Sequence, residues 1–273
     1  MKEREYRKLQ RLLNRYEDVD RVAADRGLDR EMVFVAYTQN IVRDATKRFY
    51  VMKRNANKLL GEWRRGHSLL EIANVNHFPP VLTAQIILLT SGVGRKTFWK
   101  WVRGEDNPPN ERLAREISEV ADNDYVYSPQ GNRLQKIRGL RGEHKLSLWL
   151  ESKGCKYMNE DDLRGDSPKT PDCLLDEPIV VKGRRVNWIE SKANFGDSLE
   201  IRRNMQRQLL PYSKIFGPGV VVYWLGYVED HGQDEADVII VDGKELTGNP
   251  GLDGVSEKMV QSEVDDSQFD SSE

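Results

Sequence analysis

Lys169-Thr170-Pro171-Asp172, and about 18 positions later Trp188-Ile189-Glu190-Ser191-Lys192-Ala193, are the stretches from which the fold can be read. Pro171 biases Thr170 towards an extended backbone as the chain enters Asp172-Cys173-Leu174-Leu175, a short predicted strand. Ile179-Val180-Val181, Lys182-Gly183-Arg184 and Val186 to Lys192 read as a hairpin with Gly183 in its turn. The two-residue period of a strand then sorts the side chains. Trp188, Glu190 and Lys192 share one face, and Asn187, Ile189 and Ser191 the other.

Working outward, a glycine-containing loop (Asn194 to Asp197) leads into a predicted helix from Ser198 to Ile215. Gln208 and Tyr212 lie one turn apart on it. Gly217-Pro218-Gly219 turns into Val220-Val221-Val222-Tyr223-Trp224, an apolar run typical of a central strand, and Val238 to Val241 supplies another. Upstream, Leu134 to Lys153 reads as one helix ending at Gly154, with Leu140, Glu143, Leu146 and Leu150 along one face. A carboxylate inside an apolar stripe is costly unless it is neutralised, paired or given a metal. At the stripe's edge it simply reaches water. Helix, three strands, helix and two strands predict an α/β layer with a mixed sheet.

Two carboxylates and a lysine in this setting suit a hard divalent cation. Such an ion prefers oxygen ligands and keeps several waters, so Asp172 and Glu190, with the backbone carbonyl of Ser191, suffice. The ion expected is magnesium, with manganese as the alternative. It would polarise a scissile phosphate and lower the pKa of a bound water. Lys192, on the face of Glu190, would orient the attacking water or offset the charge growing on the phosphorane. The bland alternative is a surface ion pair worth less than about 1 kcal/mol.

The front half is helical. Val19 to Ala24, Gly27 and an Asp29-capped helix towards Arg48 give the outline helix, turn, helix. The outline returns in Ser68 to Ala73, a turn over Asn74 to His77, and a helix from Pro79-Pro80 towards Leu89, with Ser68 and Glu71 as a capping box. Two such units suggest helix-turn-helix modules that hold DNA; ordinary packed helix pairs are the alternative. Arg43, Lys47, Arg48, Lys53, Arg54, Arg64 and Arg65 form the densest basic group. Ser91-Gly-Val-Gly-Arg-Lys-Thr97 lacks the spacing and preceding strand of a phosphate-binding loop and reads as a glycine cap before a helix from Arg95 to Val102. A further helix spans Glu111 to Ala121.

Net charge is −2. About 25 Lys and Arg against 18 Asp and Glu up to residue 136 leave the front half near +7 and the rest near −9. Cys155 and Cys173 form no metal or disulfide pattern, which suits a reducing cytoplasm, or a nucleus in a eukaryote. A membrane span and a signal peptide are not expected. The expected division is 1–66 and 67–128, both helical and helix-turn-helix-like, 129–250 as the α/β domain, and 251–273 as an acidic disordered tail.

Pro171-Asp172 and Glu190-Ser191-Lys192 resemble the two halves of the PD-(D/E)xK nuclease motif. With Lys169-Thr-Pro-Asp172, Trp188 to Ala193, Phe195-Gly-Asp197, Phe216-Gly-Pro-Gly219 and Val222-Tyr-Trp224, the chain resembles more narrowly the TPD-motif family, which groups codanin-interacting nucleases with archaeal relatives. The resemblance implies a restriction-endonuclease-like fold akin to archaeal Holliday-junction resolvases, magnesium dependence and DNA as substrate. It makes Asp172 and Glu190 metal ligands and Lys192 the catalytic lysine. Glu143 would match the superfamily's first-helix glutamate and a further ligand, and Gln208 with Tyr212 its Q-x-x-x-Y pair. Resolvase-like folds often act as homodimers. The competing readings are a nucleic-acid-binding or scaffold protein with a protein partner, and an RNA-processing nuclease.

Overall fold

The computed structural model describes residues 1–165, 168–232, 237–248 and 251–252. Two compact units emerge: the residues up to Tyr37 together with those from Lys136 onward, and Thr38–Gln135 between them.

The first unit is built on a five-stranded sheet, β1 (Tyr157–Asn159), β2 (Cys173–Val181), β3 (Arg184–Lys192), β4 (Gly219–Tyr223) and β5 (Val238–Asp242), lying side by side in that order. The β1–β2 and β2–β3 pairs are antiparallel; β3–β4 and β4–β5 are parallel. This is the mixed sheet expected, with the same number of strands but with β1 in place of one of those read from the sequence. Val181 pairs with Arg184, and Lys182 and Gly183 both take positive φ (47° and 74°), as a two-residue type I′ turn requires. The two apolar pieces before that turn form one strand, whose register shifts between Leu174 and Ile179. Pro178, which has no N–H to donate, falls in the shift.

Helix α9 (Pro129–Ser152) covers one face of the sheet, with Leu146 and Leu150 fully buried. It begins five residues before the expected Leu134, because Ser128 caps it, its hydroxyl accepting from Gly131 N at 3.1 Å, and Pro129 suits the first helical position. Gly142 lets it approach closely: a Cβ there would lie 2.8 Å from the Trp224 ring and 3.0 Å from Ser191 Oγ. The other face receives the helix after β3, in three parts: α11 (Ser198–Asn204), a π-helical turn (Met205–Leu209) and α12 (Leu210–Phe216). Tyr212 packs edge-on against Trp188, ring centroids 5.4 Å apart. The return to the sheet is stapled by Trp188 Nε1, which donates to Gly217 O at 2.8 Å, and by Asn187 N, which donates to Pro218 O at 2.7 Å. Short helices α10 (Glu160–Leu163) and α13 (Gly243–Thr247) complete the layers.

The chain's first helices belong to this unit and not to a helical domain ending at residue 66. In α1 (Glu3–Leu12), Tyr6 stacks on Phe195 at 4.5 Å. After α2 (Asp18–Arg26), Gly27 turns left-handed (φ 59°) and Asp29 caps α3 (Arg30–Arg54) through Met32 N. Glu31 accepts from Arg138 of α9 at 3.2 Å, and the guanidinium of Arg138 lies over Phe34. These ties run between residues far apart in sequence, so no local signal marks them.

The Thr38–Gln135 unit contains α4 (Ala56–Arg64), α5 (Leu69–Val75), α6 (Pro80–Thr90), α7 (Arg95–Val102) and α8 (Glu111–Asp122) around Leu59, Leu69, Ile87, Leu88 and Phe98. The expected boundary at 66/67 falls inside this unit, between α4 and α5. Ser68 and Glu71 form the capping box, and α5 and α6 meet at 117°, within the usual range for a helix-turn-helix. Among the described residues no single helix is long and apolar enough to cross a membrane. The acidic segment begins with two ordered residues: Leu252 is buried, its carbonyl accepts from Arg141, and that of Gly251 accepts from Lys145 at 2.9 Å. Residues 253–273, expected to be disordered, lie outside the described residues.

A Cβ on Gly219 would sit 1.9 Å from the Trp188 ring, which is fully buried. Gly219→Ala is expected to cost about 3 kcal/mol or more, since a packed core resists one added carbon. The melting temperature in a thermal scan should then fall by roughly 6–12 °C.

Candidate active site

The centre of the site is set by strand register. Cys173 pairs with Ile189, so Asp172, one residue before β2, stands opposite Glu190. Their bonds cross. Ser191 N donates to Asp172 Oδ2 at 2.7 Å, and Asp172 N donates to Glu190 Oε2 at 3.3 Å. Lys192 Nζ donates to Glu190 Oε1 at 2.6 Å. Glu190 is 2% exposed and Asp172 half-buried, so this is not a solvated surface pair. Residues alternate their hydrogen-bonding edge along a strand, the N–H and C=O of one residue facing the same way. The Ser191 carbonyl therefore faces the edge on which Asp172 stands.

Electrostatics follow from that burial. Desolvation pushes Asp172 up to about 7, helped by the nearby Glu190 charge and opposed by Lys192 and the Ser191 N–H. Glu190 is likewise raised by burial, against the pull of Lys192. Burial works against the charge of Lys192, but Glu190 and Asp172 outweigh it, and its pKa is raised. The protein's own groups thus give carboxylates short of positive charge beside a lysine that stays protonated. Its oxygen-rich donor set fits a hard divalent ion.

Other expected residues are placed unevenly. Tyr212 is buried on the sheet side of its helix, and burial with the charges of Glu190 and Asp172 raises its pKa. Gln208 is half-buried in the π turn, whose wider spacing interrupts the regular i, i+4 face assumed from sequence. Glu143 is exposed on α9 and not buried in the apolar stripe; its charge reaches Cys173, whose thiol is pushed up mainly by burial. Among the described residues no group of three His, Cys, Asp or Glu side chains converges as a metal centre, so Glu143 is not brought together with Asp172 and Glu190. In the basic group, Lys47, Lys53, Arg54, Arg64 and Arg65 are exposed and Arg43 half-buried. Arg48 instead supports the fold, donating to the carbonyls of Asn76 and His77 and to Asp44 and so closing the turn before α6.

Three features escaped the sequence reading. Lys169 Nζ donates to Arg207 O at 3.0 Å. Pro211, four residues after Arg207, has no N–H for that carbonyl, so the lysine of Lys169-Thr-Pro-Asp172 ties the strand's approach to the π turn. Ser191 Oγ accepts from Trp224 Nε1 at 2.8 Å, joining β3 to the chain after β4. Glu160, exposed at the start of α10, adds a smaller upward push on Asp172 and Glu190. Its only sequence signal is the Asn159–Asp162 capping box around it.

Residues 109–244, which contain Glu143, Asp172, Glu190, Lys192, Gln208 and Tyr212 but none of the basic group, match the family described as "Protein of unknown function TPD sequence-motif". The chain belongs to the TPD-motif family. Curated relatives include CDAN1-interacting nuclease 1 of Danio rerio, 33% identical over 184 residues that make up 64% of this chain and 61% of the relative. The protein of that name in Mus musculus is 33% identical over 170 residues, 59% of this chain and 60% of the relative. That of Homo sapiens is 31% identical over the same share of each. The chain thus spans about three fifths of the relatives' length. No solved structure matches.

A carboxyl whose folded pKa lies above its unfolded one stabilises fully below the unfolded value, and that stability is lost as pH rises through the folded value. For Asp172 the window runs from about 4 to about 7. In metal-free protein Asp172→Asn should therefore raise the melting temperature at pH 8, by about 2–4 °C per kcal/mol recovered. At pH 4 it should change little, as calorimetry at the two pH values would show.

Proposed function

We propose that this protein is a metal-dependent endonuclease of the PD-(D/E)xK type that hydrolyses phosphodiester bonds in DNA. The observation that carries the reading is the contact set between β2 and β3: Glu190, buried, accepts from the Lys192 ammonium and from Asp172 N, while the half-buried Asp172 carboxylate accepts from Ser191 N. The names of the family relatives, CDAN1-interacting nuclease 1, support it.

In this reading Asp172, Glu190 and the Ser191 carbonyl hold magnesium, or manganese in its place. When bound, the ion supplies Lewis acidity towards the phosphate and a more acidic water. Glu190 also anchors Lys192, whose ammonium orients the attacking water and offsets the negative charge that builds on the phosphoryl oxygens. Tyr212 and Gln208 line the helix side, where the phenol, kept protonated by its raised pKa, is a donor. The Ser191–Trp224 bond and the Lys169 tie keep the strand ends from shifting, which matters because an error near 1 Å in alignment reduces rate about 100-fold.

The Thr38–Gln135 unit is the proposed DNA-gripping part, through the α5–α6 pair and the exposed Lys47, Lys53, Arg54, Arg64 and Arg65. A junction or other branched DNA is the proposed substrate, two copies supplying one site for each strand. A protein partner belongs to the proposal as well, because the relatives are named for interaction with CDAN1.

Labelled junction, flap and duplex DNA, with RNA alongside, should be cleaved in magnesium and not in EDTA. Asp172→Ala and Lys192→Ala should each slow the reaction by at least about 100-fold. Equal product from wild type and both variants would end the proposal. Magnesium should also raise the melting temperature of wild type at pH 8 and leave that of Asp172→Asn unmoved, a binding readout independent of turnover.

A further inference from the structure

The first helix carries a feature that the catalytic reading does not use. Arg4, Arg7, Lys8 and Arg11 stand at i, i+3, i+4 and i+7 of α1 and so form one stripe. Tyr6, Leu9 and Leu13, all buried, occupy the opposite side. The four cations are exposed. With Glu3 and Asp230 they line a concavity of about 520 Å³. Both of those carboxylates are already engaged. Glu3 accepts from Ser198 Oγ at 2.7 Å and from Arg7 Nε at 2.9 Å, and Asp230 accepts from Glu3 N at 2.7 Å. Arg4, Lys8 and Arg11 remain as cations facing an open hollow.

Their placement is firm. The terminal ammonium of Met1 and Lys2 Nζ both pair with Glu229 at 3.1 Å, Tyr6 stacks on Phe195, and Glu3 holds Ser198. Phe195 follows Lys192 by three residues, at most about 10 Å of extended chain. Ser198 begins α11, and Arg202, exposed, lies one turn further along its face. The stripe is therefore anchored to the loop that leaves the catalytic strand. A membrane surface would require large apolar side chains beside the cations; α1 exposes none.

We infer that α1 is a phosphate-backbone track on the catalytic unit, with Arg4, Lys8 and Arg11 contacting one strand of duplex DNA as it leaves the cleavage site. This rests on the nucleic-acid reading proposed above. From Arg4 to Arg11 the helix rises roughly 10 Å, the reach of about three phosphates at 3.4 Å per strand charge. These contacts are sequence-independent: they fix register and leave base recognition to other elements. The track supplements the grip assigned to the Thr38–Gln135 unit.

The test is fluorescence anisotropy of a labelled duplex in EDTA, across a range of salt, for wild type and Arg4→Gln/Lys8→Gln/Arg11→Gln. Each lost phosphate contact removes about 0.9 from the slope of log K against log salt, so the triple variant should lose nearly 3. Its Kd at 100 mM salt should rise about tenfold or more, with an unchanged melting temperature. Wild-type binding with the slope retained in the variant would overturn the track and leave the nuclease reading standing. Failure of wild type to bind any DNA would overturn both. Binding to phosphatidylserine vesicles that the variant loses, with its DNA slope intact, would assign the stripe to lipid and reject the proposal.

Discussion

Two hydrogen bonds that cross between β2 and β3 hold the site in its form. The Ser191 N–H is given to the Asp172 carboxylate, and the Asp172 N–H to the Glu190 carboxylate. Each acid therefore stabilises the backbone that carries the other, and a slip of one residue would turn Glu190 to the opposite face. Lys192 closes the set by bonding Glu190 from the same side of the strand. The cost is electrostatic. Burial raises both carboxyls, so the protein groups alone make the arrangement less favourable as pH rises through about 7.

The surrounding layers make that register unavoidable. Gly142 admits α9 against Trp224 and Ser191 on one face, while Gly219 admits the Trp188 ring on the other. Trp188 in turn holds Tyr212 and the Gly217 carbonyl. The π turn in the helix after β3 coincides with Pro211, and Lys169 satisfies the carbonyl that proline cannot serve. The Lys-Thr-Pro-Asp stretch thus has a mechanical role beside its acidic one. Its lysine and its aspartate bind two different elements, the helix and the neighbouring strand.

Much of this was legible because it is local. Alternation in Val186 to Lys192 placed Glu190 and Lys192 on one face, and Gly183 marked the turn. Ser68, Asp29 and Gly27 marked helix ends through caps that need only neighbouring residues. For Glu143 two positions stayed open, inside the apolar stripe or at its edge, because a single stripe does not say how far a helix is rolled on its sheet; the side chain is exposed. Arg48 read as a phosphate ligand because charge density ignores acceptors such as the carbonyls of Asn76 and His77, 28 and 29 residues away.

By itself the sequence determined the mixed α/β layer, the hairpin, the order of carboxylate and lysine, and the helical character of the first half. Each depends on backbone periodicity and on caps that act over a few residues. Only the tertiary structure decided that α1 and α2 belong with the sheet, that the helical unit begins within α3, and that Lys169 reaches Arg207. Those outcomes rest on contacts such as Tyr6 with Phe195 and Glu31 with Arg138, between residues more than 100 positions apart. Such pairs follow from how surfaces fit once the layers form, and no short-range pattern encodes them.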